Sequence, residues 1–156
     1  MCGMTILVGN IASGKSTICK KLASEGHIIV NDDAVVNLIH ADQYVLYEQK
    51  LKSLYKYVEH AIIQFGLGMG RNVVVDRPNL KRDTRKRFIE IARSFEVPAH
   101  IIVMPMRTPE EHAKKRCEQD ARGWSYEHWL KVATVRYEGY EKPDKDIEGF
   151  DSIEFL

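Results

Sequence analysis

The residues best suited to chemistry form one short run near the start of the 156-residue chain. Residues 9–16 read Gly-Asn-Ile-Ala-Ser-Gly-Lys-Ser, which is the pattern G-x-x-x-x-G-K-S. The run follows an apolar segment at residues 5–8, which we interpret as a strand, and it opens a helix predicted for residues 14–23. A strand before the pattern and a helix after it are the context in which it forms a phosphate-binding loop.

Each residue type in this run has a physical reason to be there. Glycines let successive backbone N–H groups point at one phosphate, and the start of the following helix adds partial positive charge. We expect Lys15 to reach the β- and γ-phosphates of ATP and the Ser16 hydroxyl to bind Mg²⁺. The residues expected to hold the nucleotide are Gly9, Asn10, Ile11, Ala12, Ser13, Gly14, Lys15, Ser16 and Thr17.

Carboxylates follow two other predicted strands. Residues 27–30 read as a strand and are followed by Asn31, Asp32 and Asp33. A carboxylate at a strand end beside the first strand could take a proton from an attacking hydroxyl, and we assign this catalytic role to Asp33. The alternative is that Asp32 or Asp33 caps a helix predicted for residues 34–40, with Asp32 as the cap or as a helper on the metal side.

The third predicted strand, residues 73–75, ends in Asp76. Three valines leading into an acid resemble a Walker B strand, whose carboxylate holds Mg²⁺ through water. We therefore predict Ser16 and Asp76 as the metal residues. The alternative is a turn acid that pairs with Arg77 or Arg82.

The remaining pattern predicts one α/β domain over residues 1–156, with a parallel sheet covered by helices on both faces. From 43 to 65, apolar residues recur every three or four positions, which indicates one long helix ending at the glycines from 66 onward. We expect this stripe to pack on the domain's own sheet, the alternative being a coiled-coil seam. The other predicted elements are helices 83–95, 108–120 and 125–140 and strands 100–103 and 153–155.

Composition excludes several classes of protein. The longest apolar run is six residues, 101–106, whereas a membrane-spanning helix needs about 20. The first residues lack the pattern of a signal peptide. Three scattered cysteines and the absence of histidines three to five residues apart argue against a disulfide framework or a zinc site. A reducing, cytoplasmic setting is therefore expected.

The net charge of +1 hides an uneven distribution. Residues 71–93 carry eight Lys or Arg against three acids, and residues 138–156 carry seven acids against two lysines. A local basic excess suits a polyanionic partner, although a solvated helix face explains such a run equally simply. We expect the acidic tail to solvate the surface.

The phosphate loop alone does not specify a reaction, because switches, motors and small kinases all use it. No N-K-x-D string is present, which argues against a switch GTPase, and motors of the AAA class need a longer chain. A charged helix–Gly–helix segment at about 107–124 suits a kinase lid, which excludes water and supplies arginines to the transferring group.

Three segments carry a family resemblance. The loop at 9–16, the strand ending at 30–33 and the segment 75–85 together resemble the kinase domain of phage-type 5′-hydroxyl polynucleotide kinases. The surrounding group of small P-loop kinases, including zeta-toxin-like and gluconate-kinase-like enzymes, is similar in outline. The resemblance covers residues 4–143 and implies a P-loop NTPase fold with strand order 2-3-1-4-5.

The resemblance also implies residue roles. The acid after the second strand is the family's general base, and the matching residue is Asp33. The family places an arginine against the acceptor three residues later, where this chain has Val36, so other arginines must contact the acceptor. The candidates are Arg77, Arg82 and Arg85. In the lid, Arg122 is assigned to the transferring phosphoryl group and Arg116 to the nucleotide, where either could stack on adenine.

The expected activity is transfer of the γ-phosphoryl group of ATP to a nucleic-acid 5′ end, of DNA or RNA, with Mg²⁺. Absence of the arginine at position 36 favours the alternative of a small acceptor, such as a nucleoside, nucleotide or sugar. A non-catalytic nucleotide-binding module is the third interpretation. The sequence leaves a homo-oligomer open.

Overall fold

A computed structural model of the protein describes residues 2–156, in which five parallel strands form one sheet. The strand order is β2-β3-β1-β4-β5, which confirms the predicted α/β class and order. The strands are β1 (Met4–Val8), β2 (Ile28–Asn31), β3 (Val73–Asp76), β4 (Ala99–Val103) and β5 (Ser152–Phe155).

Helices cover both faces of this sheet. They are α1 (Lys15–Ser24), α2 (Asp32–Ile39), α3 (Lys52–Gly68), α4 (Arg82–Ser94), α5 (Pro109–Gln119), α6 (Tyr126–Glu138) and α7 (Lys145–Glu148). Successive strand residues point to opposite faces, so Leu7 packs beneath α1 whereas Ile6 joins the larger core under α3 and α4. Both kinds of position are fully buried, which is why the strand sequences are continuous apolar runs.

The carboxyl ends of β1, β2 and β3 meet at one edge of the sheet. The phosphate loop follows β1 there, and Asn31 at the end of β2 is paired in register with Asp76 at the end of β3. In open α/β sheets this edge is where ligands bind. The chain thereby brings together side chains that lie more than 60 residues apart in sequence.

The predicted helix over 43–65 is wrong in its first third and in its buried face. Residues 43–51 form two short 3₁₀ turns, and the helix α3 begins only at Lys52. Its buried positions do not coincide with the predicted stripe, since Leu54 and Phe65 are exposed whereas Tyr55 and Ile63 are buried. Buried polar groups and glycines carry part of this face, and an apolar pattern does not detect them.

Gly66 lies inside α3 and does not end it. A Cβ at position 66 would lie 2.9 Å from a methyl group of Val73 and 3.0 Å from one of Ile28. The glycine therefore lets the helix approach the sheet closely, and the helix continues to Gly68.

The acidic segment at 138–156 does more than solvate the surface, which corrects the expectation. Glu148 is buried and accepts two hydrogen bonds from the Arg85 guanidinium, at 2.7 and 2.8 Å. Asp144 caps the short helix α7, and Asp151 accepts a hydrogen bond from the backbone N–H of Ala99. These carboxylates fasten the end of the chain to α4 and β4.

The segment predicted as a lid, about 107–124, contains α5 and the turn that leads into α6, and α5 and α6 pack against each other. Thr108 caps α5 with the reciprocal bonds of a capping box, and Ser125 caps α6. Among the described residues, none of the helices has the length and apolar character needed to cross a membrane.

Candidate active site

The backbone of the phosphate loop takes a shape that its small residues permit. Ala12 and Gly14 have positive φ angles of 47° and 101°, in the left-handed region that favours glycine. A Cβ at Gly9 would lie 2.6 Å from the Ser13 hydroxyl and 2.8 Å from Met104 Cβ. The glycine at position 9 is therefore required by packing inside the loop itself.

Lys15 points back into the loop. Its ammonium group donates hydrogen bonds to the carbonyls of Gly9 at 3.0 Å and Asn10 at 2.7 Å. Burial lowers the pKa of Lys15 to about 8, although the carboxylate of Asp76 opposes this shift. A partly desolvated cation inside a ring of backbone groups is an arrangement that fits a polyphosphate, whose charge would replace the carbonyl contacts.

Asn10 connects the phosphate loop to α6. Its side chain is fully buried, accepts a hydrogen bond from Ile11 N–H and donates one to the carbonyl of Ala133 on α6. The loop and α6 are thus held in one arrangement by an amide that has both a donor and an acceptor satisfied.

Asn31 has two tasks at the end of β2. Its side-chain nitrogen donates to Asp76 Oδ2 at 2.9 Å, and its oxygen accepts from the backbone N–H of Ala34. Asn31 is therefore the cap of α2, which starts at Asp32, and the capping interpretation of Asp32 and Asp33 is wrong. Asp76 is buried beside Lys15 and Cys19, so it is not a simple turn acid.

The two acids after Asn31 lie in different surroundings. Asp32 is close to Arg77, at 3.4 Å between Oδ2 and Nε, yet burial outweighs this pairing and raises the pKa of Asp32. Asp33 has 44% of its side chain exposed, against 40% for Asp32, and Arg122 donates a hydrogen bond to it at 2.9 Å. The two acids are therefore exposed to a similar extent, and they differ in the arginine that each contacts.

Three arginines of α5, α6 and the turn between these helices occupy different places. Arg122 lies against Asp33 and 4.3 Å above the ring of Tyr44. It therefore contacts Asp33 and not the phosphate loop, where we expected it to face the γ-phosphate. Arg116 stands 4.9 Å above the Trp129 ring, and it lines the same cavity as the loop. Arg136 on α6 also lines that cavity, and sequence reasoning missed it.

Arg136 is half-buried, and burial lowers its pKa although Asp32 and Asp33 oppose this shift. In the sequence it is one of several charged residues on an amphipathic helix. No spacing or motif distinguishes it from residues that face solvent.

The three arginines predicted to bind the acceptor have other partners. Arg85 has no exposed side-chain surface and is bound to Glu148 and to the carbonyls of Asn79 and Leu80, so it is removed from the acceptor-binding residues. Arg77 donates two hydrogen bonds of 3.0 Å to the buried Glu59. Arg82 is partly exposed near Glu148 and does not line the cavities beside Asp33.

Two cavities meet at the acids. The first, called the phosphate cavity, has a volume of about 340 Å³. It is lined by residues 11–16, Asp76, Arg116 and Arg136, whereas Gly9, Asn10 and Thr17 of the loop do not line it. The second, called the tyrosine cavity, has a volume of about 170 Å³. Asp32, Asp33 and Arg77 line both.

The protein residues available to a metal are few. Within residues 2–156, no group of three or more His, Cys, Asp or Glu side chains could hold a metal ion. Mg²⁺ keeps several waters and commonly uses one or two protein oxygens together with substrate phosphates, so Ser16 and Asp76 in the phosphate cavity fit this ion. The arrangement as a whole provides an anion site with a carboxylate at its border.

Comparison with known structures supports the fold. Kti12 from Chaetomium thermophilum, solved in complex with ADP-AlF3, matches with a TM-score of 0.64 at 15% identity, over 98% of this chain and 88% of that one. A gluconokinase from Sinorhizobium meliloti matches with a TM-score of 0.57 at 17% identity, over 97% and 80%.

A third structure is that of the Pnkp1/Rnl/Hen1 complex. It matches with a TM-score of 0.63 at 21% identity, over 72% of this chain but only 38% of that one. No curated protein matches the sequence significantly.

A family model described as an AAA domain matches residues 4–128, which contain the phosphate loop, β1 to β4 and the lid helix α5. The loop geometry, the strand order and this match agree with one another. The chain therefore belongs to this AAA-domain family and has a P-loop NTPase fold.

Proposed function

We propose that the chain is an ATP-dependent kinase that transfers the γ-phosphoryl group to the 5′-hydroxyl end of a polynucleotide. The observation that carries this proposal is the position of Asp33. It borders both the phosphate cavity and the tyrosine cavity, so an acceptor in one cavity and a phosphate donor in the other would meet at its carboxylate. Phosphoryl transfer requires this kind of meeting point, because catalysis is mainly positioning and charge stabilisation.

The acceptor side of the reaction depends on Asp33. The acceptor hydroxyl would donate a hydrogen bond to the Asp33 carboxylate. The carboxylate takes the proton as the hydroxyl oxygen forms a covalent bond to the γ-phosphorus. The bond from that phosphorus to the β–γ bridging oxygen breaks in line, and ADP leaves. Arg122 lies on Asp33 in the structure, and we propose that it moves to the developing charge when both substrates are bound.

The donor side depends on the loop. Residues 11–16 and Lys15 would hold the phosphates of ATP, and Arg116 and Arg136 would face the transferring group from the lid. Mg²⁺ held near Ser16 and Asp76 would neutralise charge on the β- and γ-oxygens. Two guanidinium groups and an ammonium group around one cavity suit the several negative charges of a triphosphate.

A polynucleotide as the acceptor is supported by the resemblance at 30–33 and 75–85, and by the fold shared with the Pnkp1 complex. The basic run at 71–93 supports it less than its composition indicates. Four of its arginines, at 77, 82, 85 and 87, form ion pairs with the buried acids Glu59 and Glu148. A cytoplasmic location stays a prediction.

A kinase of a small acceptor is the second candidate. Val36, which stands in place of the family's arginine, is buried beside Tyr55, and a gluconokinase shares the fold. A closed cavity for one small molecule is consistent with both observations.

The deciding experiment supplies the purified protein with Mg²⁺, γ-labelled ATP and a panel of acceptors: 5′-hydroxyl DNA, 5′-hydroxyl RNA, nucleosides and gluconate. We expect label on an oligonucleotide, with kcat/KM at least tenfold above that for a free nucleoside. Oligonucleotides that already carry a 5′-phosphate are the matched control and should take no label. Label on gluconate or nucleosides alone would replace this proposal with the small-acceptor kinase.

A further inference from the structure

The tyrosine cavity contains an ordered row of aromatic rings. Tyr44 and Tyr47 are nearly parallel, with 16° between planes and 6.2 Å between centroids. Tyr47 in turn stacks on Tyr55, at 29° and 5.3 Å. All three line the cavity that Asp33 borders, and residues of the phosphate loop do not.

Hydrogen bonds fix this row in place. The Tyr55 hydroxyl contacts His40 Nε2 at 2.7 Å and accepts a bond from the backbone N–H of Glu48 at 3.1 Å. The Tyr47 hydroxyl donates to Gln49 at 2.8 Å. Tyr55 is almost fully buried, whereas 38% of Tyr47 stays exposed, so a rigid base supports an accessible ring.

The same cavity has two lysines that form no ion pair with any described residue. Lys52 and Lys56 lie one turn apart on α3 and both line it. Within the described residues, neither lysine forms a salt bridge, whereas the third cation of the lining, Arg77, is bound to Glu59 and Asp32. Like charges one turn apart repel each other, and a bound anion would relieve the repulsion.

The volume limits the occupant to a single ring system. A cavity of about 150 Å³ admits a molecule such as benzene, and the tyrosine cavity measures about 170 Å³. Flat aromatic walls favour a nucleobase, because every base has a face that stacks on tyrosine. A sugar acid such as gluconate has an anionic group but no face to stack.

From this geometry we infer that, given the function proposed above, the tyrosine cavity binds the base of the 5′-terminal nucleoside of the acceptor. The base stacks on the row of Tyr44, Tyr47 and Tyr55, and the phosphate on the 3′ side of this nucleoside lies at Lys52 and Lys56. The 5′-hydroxyl of this nucleoside then reaches Asp33. The family's arginine against the acceptor is absent from this chain, which has Val36 at that position. The two lysines would contact the acceptor phosphate instead.

The first test removes the stacking contact between base and tyrosine in two ways, by deleting the base from the acceptor and by deleting a tyrosine ring from the protein. The acceptors are a 5′-hydroxyl oligonucleotide and its twin without a base at the 5′-terminal residue. For the wild type, the missing base should raise KM about tenfold or more, and Tyr47→Ala should raise it similarly on the intact acceptor. On the abasic acceptor, Tyr47→Ala should add less than twofold. Tyr57→Ala changes an exposed tyrosine of α3 outside the cavity and should leave both values unchanged.

The second test applies the same design to the phosphate. Lys52→Gln with Lys56→Gln should raise the KM of the intact oligonucleotide and flatten its salt dependence. An acceptor with a neutral methylphosphonate at the first linkage should erase the difference between this variant and the wild type. Lys86→Gln, at an exposed position of α4, is the control.

The outcomes separate two failures. If the wild type labels no 5′-hydroxyl oligonucleotide, the proposed function is wrong and the inference falls with it. If the wild type labels oligonucleotides but Tyr47→Ala and the double lysine variant keep their KM values within twofold, the function stands and the inference is overturned. Effects on the abasic acceptor as large as those on the intact one would also overturn it.

Discussion

Raising the pH from 7 to 9 should weaken ATP binding roughly tenfold, because Lys15 loses its charge in this range. Burial in the loop holds the pKa of Lys15 at about 8 in the nucleotide-free protein, against 10.5 for an exposed lysine. At pH 7 about ten in eleven molecules carry the ammonium charge, and at pH 9 about one in eleven do. The charged form binds the anionic phosphates, so affinity falls as pH rises.

Cys19 and Tyr44, which lie near the site, should not contribute to this pH dependence. The pKa of Cys19 and that of Tyr44 are both raised to about 12, mainly by burial, so neither group changes charge between pH 7 and 9. Asp76, Arg116 and Arg136 are the other charged groups that act on Lys15.

The assay is calorimetric titration with ATP in EDTA, so that no metal contributes, at half-unit steps of pH. Lys15→Arg is the control, since a guanidinium stays charged throughout, and its affinity should vary less than twofold. A wild-type affinity that is flat from pH 7 to 9, or that falls in parallel with the variant, would refute the assignment of Lys15 to the phosphates.

Two further substitutions separate stability from activity. Arg85→Ala should destabilise the fold by roughly 3–5 kcal/mol, because Glu148 would keep a buried charge without a partner, and the melting temperature should fall by about 10 °C. A small shift in melting temperature together with a raised acceptor KM would restore Arg85 to the acceptor site. Arg122→Ala should change stability by less than about 1 kcal/mol, since its pair with Asp33 is partly exposed, yet lower kcat at least tenfold. Turnover unchanged in this variant would leave the pair without a catalytic role.

The part of the site that could be predicted from the sequence is the part that depends on neighbouring residues. The phosphate loop needs glycines and a lysine at fixed spacing, Asp33 lies two residues after the end of β2, and Asp76 is the last residue of β3. Strand ends of a parallel sheet converge at one edge, so placing these residues together required only the strand order.

The remainder depends on contacts between distant segments, which local patterns do not reveal. Arg85 reads as one more charge on a basic helix until α7 brings Glu148 against it. Arg136 reaches the phosphate cavity only because α6 packs beside the loop. The tyrosine row was hidden because the 3–4 spacing of residues 43–51 imitates a helix.

The central claim is that Asp33 receives the proton of the acceptor hydroxyl, and the most direct test is kcat of Asp33→Asn with saturating ATP and 5′-hydroxyl oligonucleotide. The side chain keeps its shape, and Asn31 caps α2, so the melting temperature should stay near that of the wild type. Asp42→Asn, at an exposed position, is the matched control.

We expect kcat to fall by roughly 10²–10⁴ with ATP affinity within a few-fold of the wild type, which is the usual effect of removing a general base. A kcat within about threefold of the wild type would contradict the account.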